Sequence, residues 1–145
     1  KLLSITSAMQ MVRILTADSQ KNYDLFLLIE NFYELLRSKY WVKEYILWEL
    51  RLLKIWGYDF EFTKIAKKEI LNQKIIYVVI SNDGKKIIPN YLIDKSQNPS
   101  NLNNLMDGFN LIGEYLYKTI LKPNNLTFPI SRLNFVNSLK SLKFH

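Results

Sequence analysis

Residues 40–58 read YWVKEYILWELRLLKIWGY. Set at 100° per residue, Trp41, Tyr45, Trp48, Leu52, Ile55 and Trp56 form one broad apolar sector, and Val42, Ile46 and Leu53 widen it. Lys43, Glu44, Arg51 and Lys54 gather on the remaining arc with Tyr40 and Leu47. Glu49 does not join them; it falls inside the apolar sector, between Val42, Tyr45, Leu53 and Trp56. A helix this apolar predicts a domain with other helices packed around it. A carboxylate on its inner side needs a partner there, because an unpaired buried charge is strongly unfavourable.

Outward from this stretch, apolar spacing predicts a helix over Ser4–Leu15, with Ile5, Ala8, Met9, Val12 and Leu15 inward. A polar connection over Thr16–Lys21 leads to a second helix over Asn22–Ser38, with Phe26, Ile29, Phe32, Tyr33 and Leu36 on one face. Ser38 is the expected N-cap of the central helix, and Gly57 its C-terminal stop. Short connections make this half a small antiparallel bundle. The pattern then changes. Lys74–Ile80 (KIIYVVI) is β-branched and aromatic, and Ser-Asn-Asp-Gly ahead of Ile87-Ile88 is a hairpin signal. Residues 59–95 therefore read as a small two-stranded insert, closed by Pro89 and a polar run over Asp94–Ser100. Helical spacing returns over 101–121 through Leu102, Leu105, Phe109, Ile112, Leu116 and Ile120, where Gly108 and Gly113 suggest close packing. Pro123 ends it. Ser131 is the expected cap of a last helix with Leu133, Val136 and Leu139 inward. The fold class is mainly α, a helical bundle with a small β-hairpin insert.

Length and composition bound the rest. The chain's 145 residues, 48% of them apolar, can build one domain with its own core. No run reaches the roughly 20 apolar residues a membrane-spanning helix needs, so no membrane association is expected; no secretory signal opens the chain, and the absence of cysteine fits a reducing cytosol, so a cytoplasmic protein is expected. The first residue is Lys1, and helical spacing begins at once, so the sequence reads as the interior of a longer polypeptide. Zero cysteines exclude disulfides and thiolate metal sites. The single histidine, His145, supports no histidine-based catalytic or zinc site. A net charge of +7 favours a polyanionic partner. The excess is mostly lysine, in a chain also rich in Asn, Ile and Tyr, which is what codon bias in an AT-rich genome would give.

Three stretches together carry a resemblance. WELRLLKIWGY at 48–58, followed by Asp-Phe-Glu-Phe, resembles the signature of the RecO family of bacterial recombination mediators. LYKTILKP at 116–123 and ISRLNF at 130–135 resemble that family's late helix, its Leu-Lys-Pro end and its Ser-Arg motif. KIIYVVISNDGKK stands where the family has a small zinc-ribbon-like insert. The resemblance covers almost the whole chain, 1–145, as the C-terminal helical part. Nothing in it corresponds to the family's N-terminal OB-fold. Thr63, Ile65 and Lys67 stand where the family's first cysteine pair is expected, so the insert is cysteine-free and no zinc or other cofactor is expected. The resemblance implies a non-enzymatic role in DNA repair and homologous recombination after DNA damage. It implies binding and annealing of single- and double-stranded DNA, and contact with the acidic C-terminal tail of single-stranded DNA-binding protein. It also implies association with RecR and assistance to RecA loading. The chain is expected to be monomeric. The alternative is an unrelated basic helical protein-interaction domain with no nucleic-acid role.

Three constellations follow. Glu49 has no nucleophile, histidine or second carboxylate at helical spacing, so a buried ion pair is expected, with Arg132 of the Ser-Arg motif as partner. Tyr40, Lys43, Leu47, Arg51 and Lys54 form a basic rim around an exposed leucine, suited to the acidic tail of single-stranded DNA-binding protein; otherwise they are an ordinary solvated face. Lys64, Lys67, Lys68, Lys74, Lys85 and Lys86, with Tyr77 to stack a base, are the candidate DNA contacts. Lysines that deter pairing at hairpin edges are the competing explanation.

Overall fold

The computed structural model describes residues 1–15, 23–58 and 60–142. The expected connection over Thr16–Lys21, the start of the second helix at Asn22, and His145 lie outside the described residues. The fold is mainly helical, with a small antiparallel sheet set into the second half. The central stretch forms α3 (Trp41–Ile55). Its C-terminus is a Schellman turn: Gly57 takes φ +83°, the Tyr58 N–H donates to the Leu53 carbonyl (3.1 Å), and the Gly57 N–H donates to Lys54 (3.0 Å). Its N-terminus differs from expectation. Tyr40 occupies the cap position without a side-chain bond, and Ser38 Oγ accepts the Tyr40 N–H two residues on. The serine thus closes a local turn instead of capping the helix.

Around α3 pack α1 (Leu2–Leu15), α2 (Tyr23–Leu35), α6 (Leu102–Leu116) and α7 (Ile130–Leu139). Tyr45 and Trp48 of α3 are fully buried, and the rings of Phe32, Phe109 and Phe135 converge on Tyr45. In helix α1 the expected Ala8 is fully buried and Ile5, Met9, Val12 and Leu15 pack partly buried against the core, but the inward face extends further than expected. Ser4, Ser7, Ala8 and Met11 are buried, because small side chains let α1 approach α7 and let Ser7 Oγ bond the Tyr45 hydroxyl at 2.7 Å. Helix α2 turns Leu28 and Phe32 inward and leaves Phe26 and Tyr33 exposed, against expectation. Both of its faces are apolar, so periodicity has two solutions. Contact with Trp48, whose Nε1 donates to the Leu28 carbonyl (2.9 Å), selects one of them. In α7 Pro129 holds the cap position, Ser131 Oγ is buried without a hydrogen-bond partner among the described residues, and Arg132, Phe135 and Leu139 face inward while Leu133 is exposed.

Helix α6 buries Leu105, Phe109, Ile112 and Leu116 and continues as a π-helical turn (Tyr117–Leu121) that buries Ile120. Its glycines face side chains: a Cβ at Gly108 would lie 1.8 Å from the Tyr91 hydroxyl, and one at Gly113 would lie 3.4 Å from the Arg132 guanidinium.

The insert has three strands where two were expected: β1 (Lys67–Leu71), β2 (Lys74–Ser81) and β3 (Gly84–Ile88), paired in that order. Asn72 and Gln73 join β1 to β2 with φ of +49° and +64°, the left-handed pair of a type I′ turn. Gln is a poor advertisement for that conformation, which is why β1 is hard to see in sequence. In the expected hairpin Asn82 and Asp83 are the loop, and Gly84 takes φ +109° as the first residue of β3. Ile88, Tyr77 and Val79 share the sheet face that packs toward α6. Lys86 pairs with Glu114, and Lys118 with Asp83. Short helical turns α4 (Phe62–Ile65) and α5 (Asn90–Ile93) flank the sheet.

Candidate functional site

On the side of α3 away from Trp48, a cavity of about 200 Å³ opens between α3, the 60–63 segment and α5. Leu47 and Leu50 supply its floor from α3; Phe60, Phe62, Leu92 and Ile93 complete it. Arg51, Lys54 and Lys95 stand at its edge. Glu61 is the one carboxylate among the lining residues, and it lies 3.3 Å from Lys64. Three cations beside an apolar hollow suit a ligand that is acidic and ends in an apolar group.

This cavity joins only part of the predicted rim. Arg51 and Lys54 are exposed and line it. Leu47 also lines it, but as buried floor and not as an exposed leucine. Lys43 is not part of the rim. It is 4% exposed, and its ammonium donates to the Lys95 carbonyl (2.6 Å) and to Asn98 Oδ1 (3.2 Å). Tyr40 lies eleven residues before Arg51, about 16 Å along the helix axis, with Lys39 over its ring. The sequence reading missed Leu50, Phe60, Phe62, Leu92, Ile93 and Lys95 as site residues. The Phe-Glu-Phe alternation at 60–62 was the available signal for two of them. The others reach the cavity only through tertiary packing.

Glu49 and Arg132 meet in the interior. Arg132 Nε donates to Glu49 Oε1 at 2.9 Å and its terminal nitrogen to Oε2 at 3.0 Å, with both side chains nearly fully buried. The guanidinium is sandwiched between the rings of Phe109 (4.6 Å) and Phe128 (4.5 Å) and lies against Gly113. Burial alone would lower the Arg132 pKa; the Glu49 charge and hydrogen bonds reverse this and raise it. Burial pushes the Tyr45 hydroxyl well above its ordinary range, and the Glu49 charge adds to that shift. Both carboxylate oxygens are engaged by one guanidinium, which is the geometry of a cross-link between α3 and α7.

The candidate DNA lysines are divided. Strand register places Lys67, Lys74 and Lys85 on one sheet face and Lys68 and Lys86 on the other. Lys64, Lys85 and Lys86 are in ion pairs with Glu61, Glu69 and Glu114. Tyr77, the expected stacking ring, is partly buried against the core. Lys67, Lys68 and Lys74 are exposed and make no ion pair among the described residues.

Among the described residues no group of His, Cys, Asp and Glu is arranged to hold a metal ion, and no helix is long and apolar enough to cross a membrane. No family model, curated protein or solved structure matches the chain.

Proposed function

We propose that this chain is the helical part of a DNA-repair mediator similar to RecO, and that its cavity takes the acidic tail of single-stranded DNA-binding protein. The observation that carries the reading is the cavity itself. Leu47, Leu50, Phe60 and Phe62 offer an apolar seat, and Arg51, Lys54 and Lys95 surround it with positive charge. The apolar end of the tail occupies the seat and its carboxylates face the three cations, which steer the encounter and fix orientation. DNA contact falls to Lys67, Lys68 and Lys74 of the sheet. RecR and RecA enter this reading through the sequence resemblance alone.

Fluorescence anisotropy with a labelled tail peptide tests it. Arg51→Glu should weaken binding by about tenfold or more, and binding should weaken as salt rises. Equal binding to wild type and Arg51→Glu would remove the assignment. For the DNA part, anisotropy of a labelled single strand at two salt concentrations should show affinity falling steeply, with a shallower slope in Lys67→Gln/Lys74→Gln. A chain with no salt-dependent DNA binding is better described as a basic helical protein-interaction domain.

A further inference from the structure

A run of π contacts leads from the interior of this molecule to its surface. It passes from Phe109 to the Arg132 guanidinium (4.6 Å), on to Phe128 (4.5 Å), and from Phe128 to Tyr117, whose ring centroid lies 6.3 Å away at an interplanar angle of 27°. Exposure rises along it: Phe109 is buried, Phe128 is half-buried, and Tyr117 is 41% exposed. Tyr117 is the first residue of the π-helical turn, where the Lys122 N–H donates to the Tyr117 carbonyl. The extra residue in that turn lets Ile120 and Leu121 both point inward and leaves Tyr117 outside. Such turns are rare and recur at functional sites.

Tyr117 and Phe128 line a cavity of about 580 Å³ between α6 and α7, to which Leu133 and Val136 add apolar surface. That volume is within the range of sites for small ring systems. The polar groups of the cavity are mostly donors. Arg132 is 4% exposed; its Nε and Nη2 serve Glu49, whereas Nη1 makes no hydrogen bond among the described residues and is not fully enclosed. Glu49 thus fixes the guanidinium in place while one nitrogen stays free to donate. Asn110 and Asn137 contribute amides, and Lys140 an exposed ammonium with no ion pair among the described residues. Glu114, the one carboxylate among the lining residues, is taken up by Lys86. A flat ring bearing carbonyl oxygens and an attached phosphate satisfies these groups together: its face meets the aromatic rings, its oxygens the N–H donors, and its phosphate Lys140. A second hollow, of about 470 Å³, lies between β3 and α6 and shares Asn110 and Glu114 with the first, so a groove leads to the cavity from the sheet.

We propose that this cavity seats one base of a DNA single strand, stacked on the rings of Tyr117 and Phe128 and hydrogen-bonded from Arg132 Nη1, with Lys140 on the adjoining phosphate. The seat rests on the DNA reading above and adds to it: the exposed lysines of the sheet hold the backbone, and Tyr117 is the stacking ring. It does not depend on the peptide cavity, which lies beside α3 and shares no lining residue with this one.

Anisotropy of two labelled strands of equal length, one of thymidines and one of abasic sites, tests the seat. The wild-type chain should hold the thymidine strand roughly 5- to 100-fold more tightly than the abasic one. Tyr117→Leu, at an exposed position, should lose most of that preference and keep the salt slope, because stacking releases no counterions. Tyr117→Trp should restore the preference. Lys140→Gln should lower the salt slope by about one and leave the base preference intact. Circular dichroism confirms that each variant is folded. A Tyr117→Leu chain that prefers thymidines as strongly as wild type, or that weakens on both strands equally, would overturn the seat, as would a Lys140→Gln slope equal to that of wild type. With those results, a slope that still responds to Lys67→Gln/Lys74→Gln leaves the DNA reading standing without the seat. A wild-type chain that binds neither strand removes both.

Discussion

Helix α3 carries two buried charges six residues apart, and they are held in opposite ways. Glu49 meets a full opposite charge: Arg132, 83 residues away in sequence, grips both of its oxygens. Lys43 hydrogen-bonds to neutral oxygens, the Lys95 carbonyl and the Asn98 amide, and its charge also acts on the Asp94 carboxylate of the same loop. The first pair cross-links two helices through the core. The second fastens the 94–100 loop, which also turns on Asp94 through bonds to Ser96 and Gln97. A buried charge on this helix therefore acts according to its hydrogen-bond partner: a bidentate ion fixes helix against helix, whereas backbone and amide oxygens fix a loop. Lys95, carried by that loop, lines the cavity, so the buried Lys43 also helps to place a residue of the site.

The contrast can be broken most forcefully at Glu49. Glu49→Gln or Arg132→Met, each leaving one charge buried alone, should cost roughly 3–5 kcal/mol in chemical denaturation. Replacing both by apolar residues of similar volume should recover much of that loss; if Glu49→Gln melts at the wild-type temperature, the cross-link is not structural. Lys43→Met keeps the aliphatic stem and removes two charge-assisted bonds, so a smaller loss of about 1.5–3 kcal/mol is expected. Its distinguishing mark is faster hydrogen exchange confined to amides 94–100.

Tyr45, between Ser7 and Glu49, gives a pH-dependent version of the comparison. Its folded pKa is raised above the unfolded value of about 10 by burial first and the Glu49 charge second. Its contribution is therefore fully present below pH 10 and is lost as pH rises beyond it. Tyr91, raised by burial and by Asp107, has the same sign. Stability measured from pH 8 to 11 should fall above pH 10, less steeply in Tyr45→Phe, which loses about 1 kcal/mol at neutral pH with the Ser7 bond. At the smallest end, Arg51→Glu and Lys54→Glu should stay within about 0.5 kcal/mol of wild type while peptide affinity drops. A large stability loss there would mean that the cavity edge belongs to the core.

Legibility followed the same division. The inward residues of α6 could be read from spacing because that helix has one apolar face and one polar face. Gly57 could be read as a stop because only its backbone freedom suits a left-handed position. Helix α2 could not be oriented, since both of its faces are apolar, and β1 stayed hidden behind a Gln in a left-handed turn. Lys43 was assigned to the surface because lysine usually lies there; nothing local announces the carbonyl 52 residues away that buries it.

By itself, then, the sequence determined the helical class, the hairpin, the central position of α3 and the need of Glu49 for a cation. These follow from periodicity and from the cost of burying charge, both local properties of the chain. Only the tertiary structure decided which side of α2 faces in, that Lys43 serves a loop, and that Leu47, Phe60, Phe62 and Ile93 share one cavity. Those outcomes depend on side chains brought together from distant parts of the chain, and no local pattern encodes where a neighbour from elsewhere will stand.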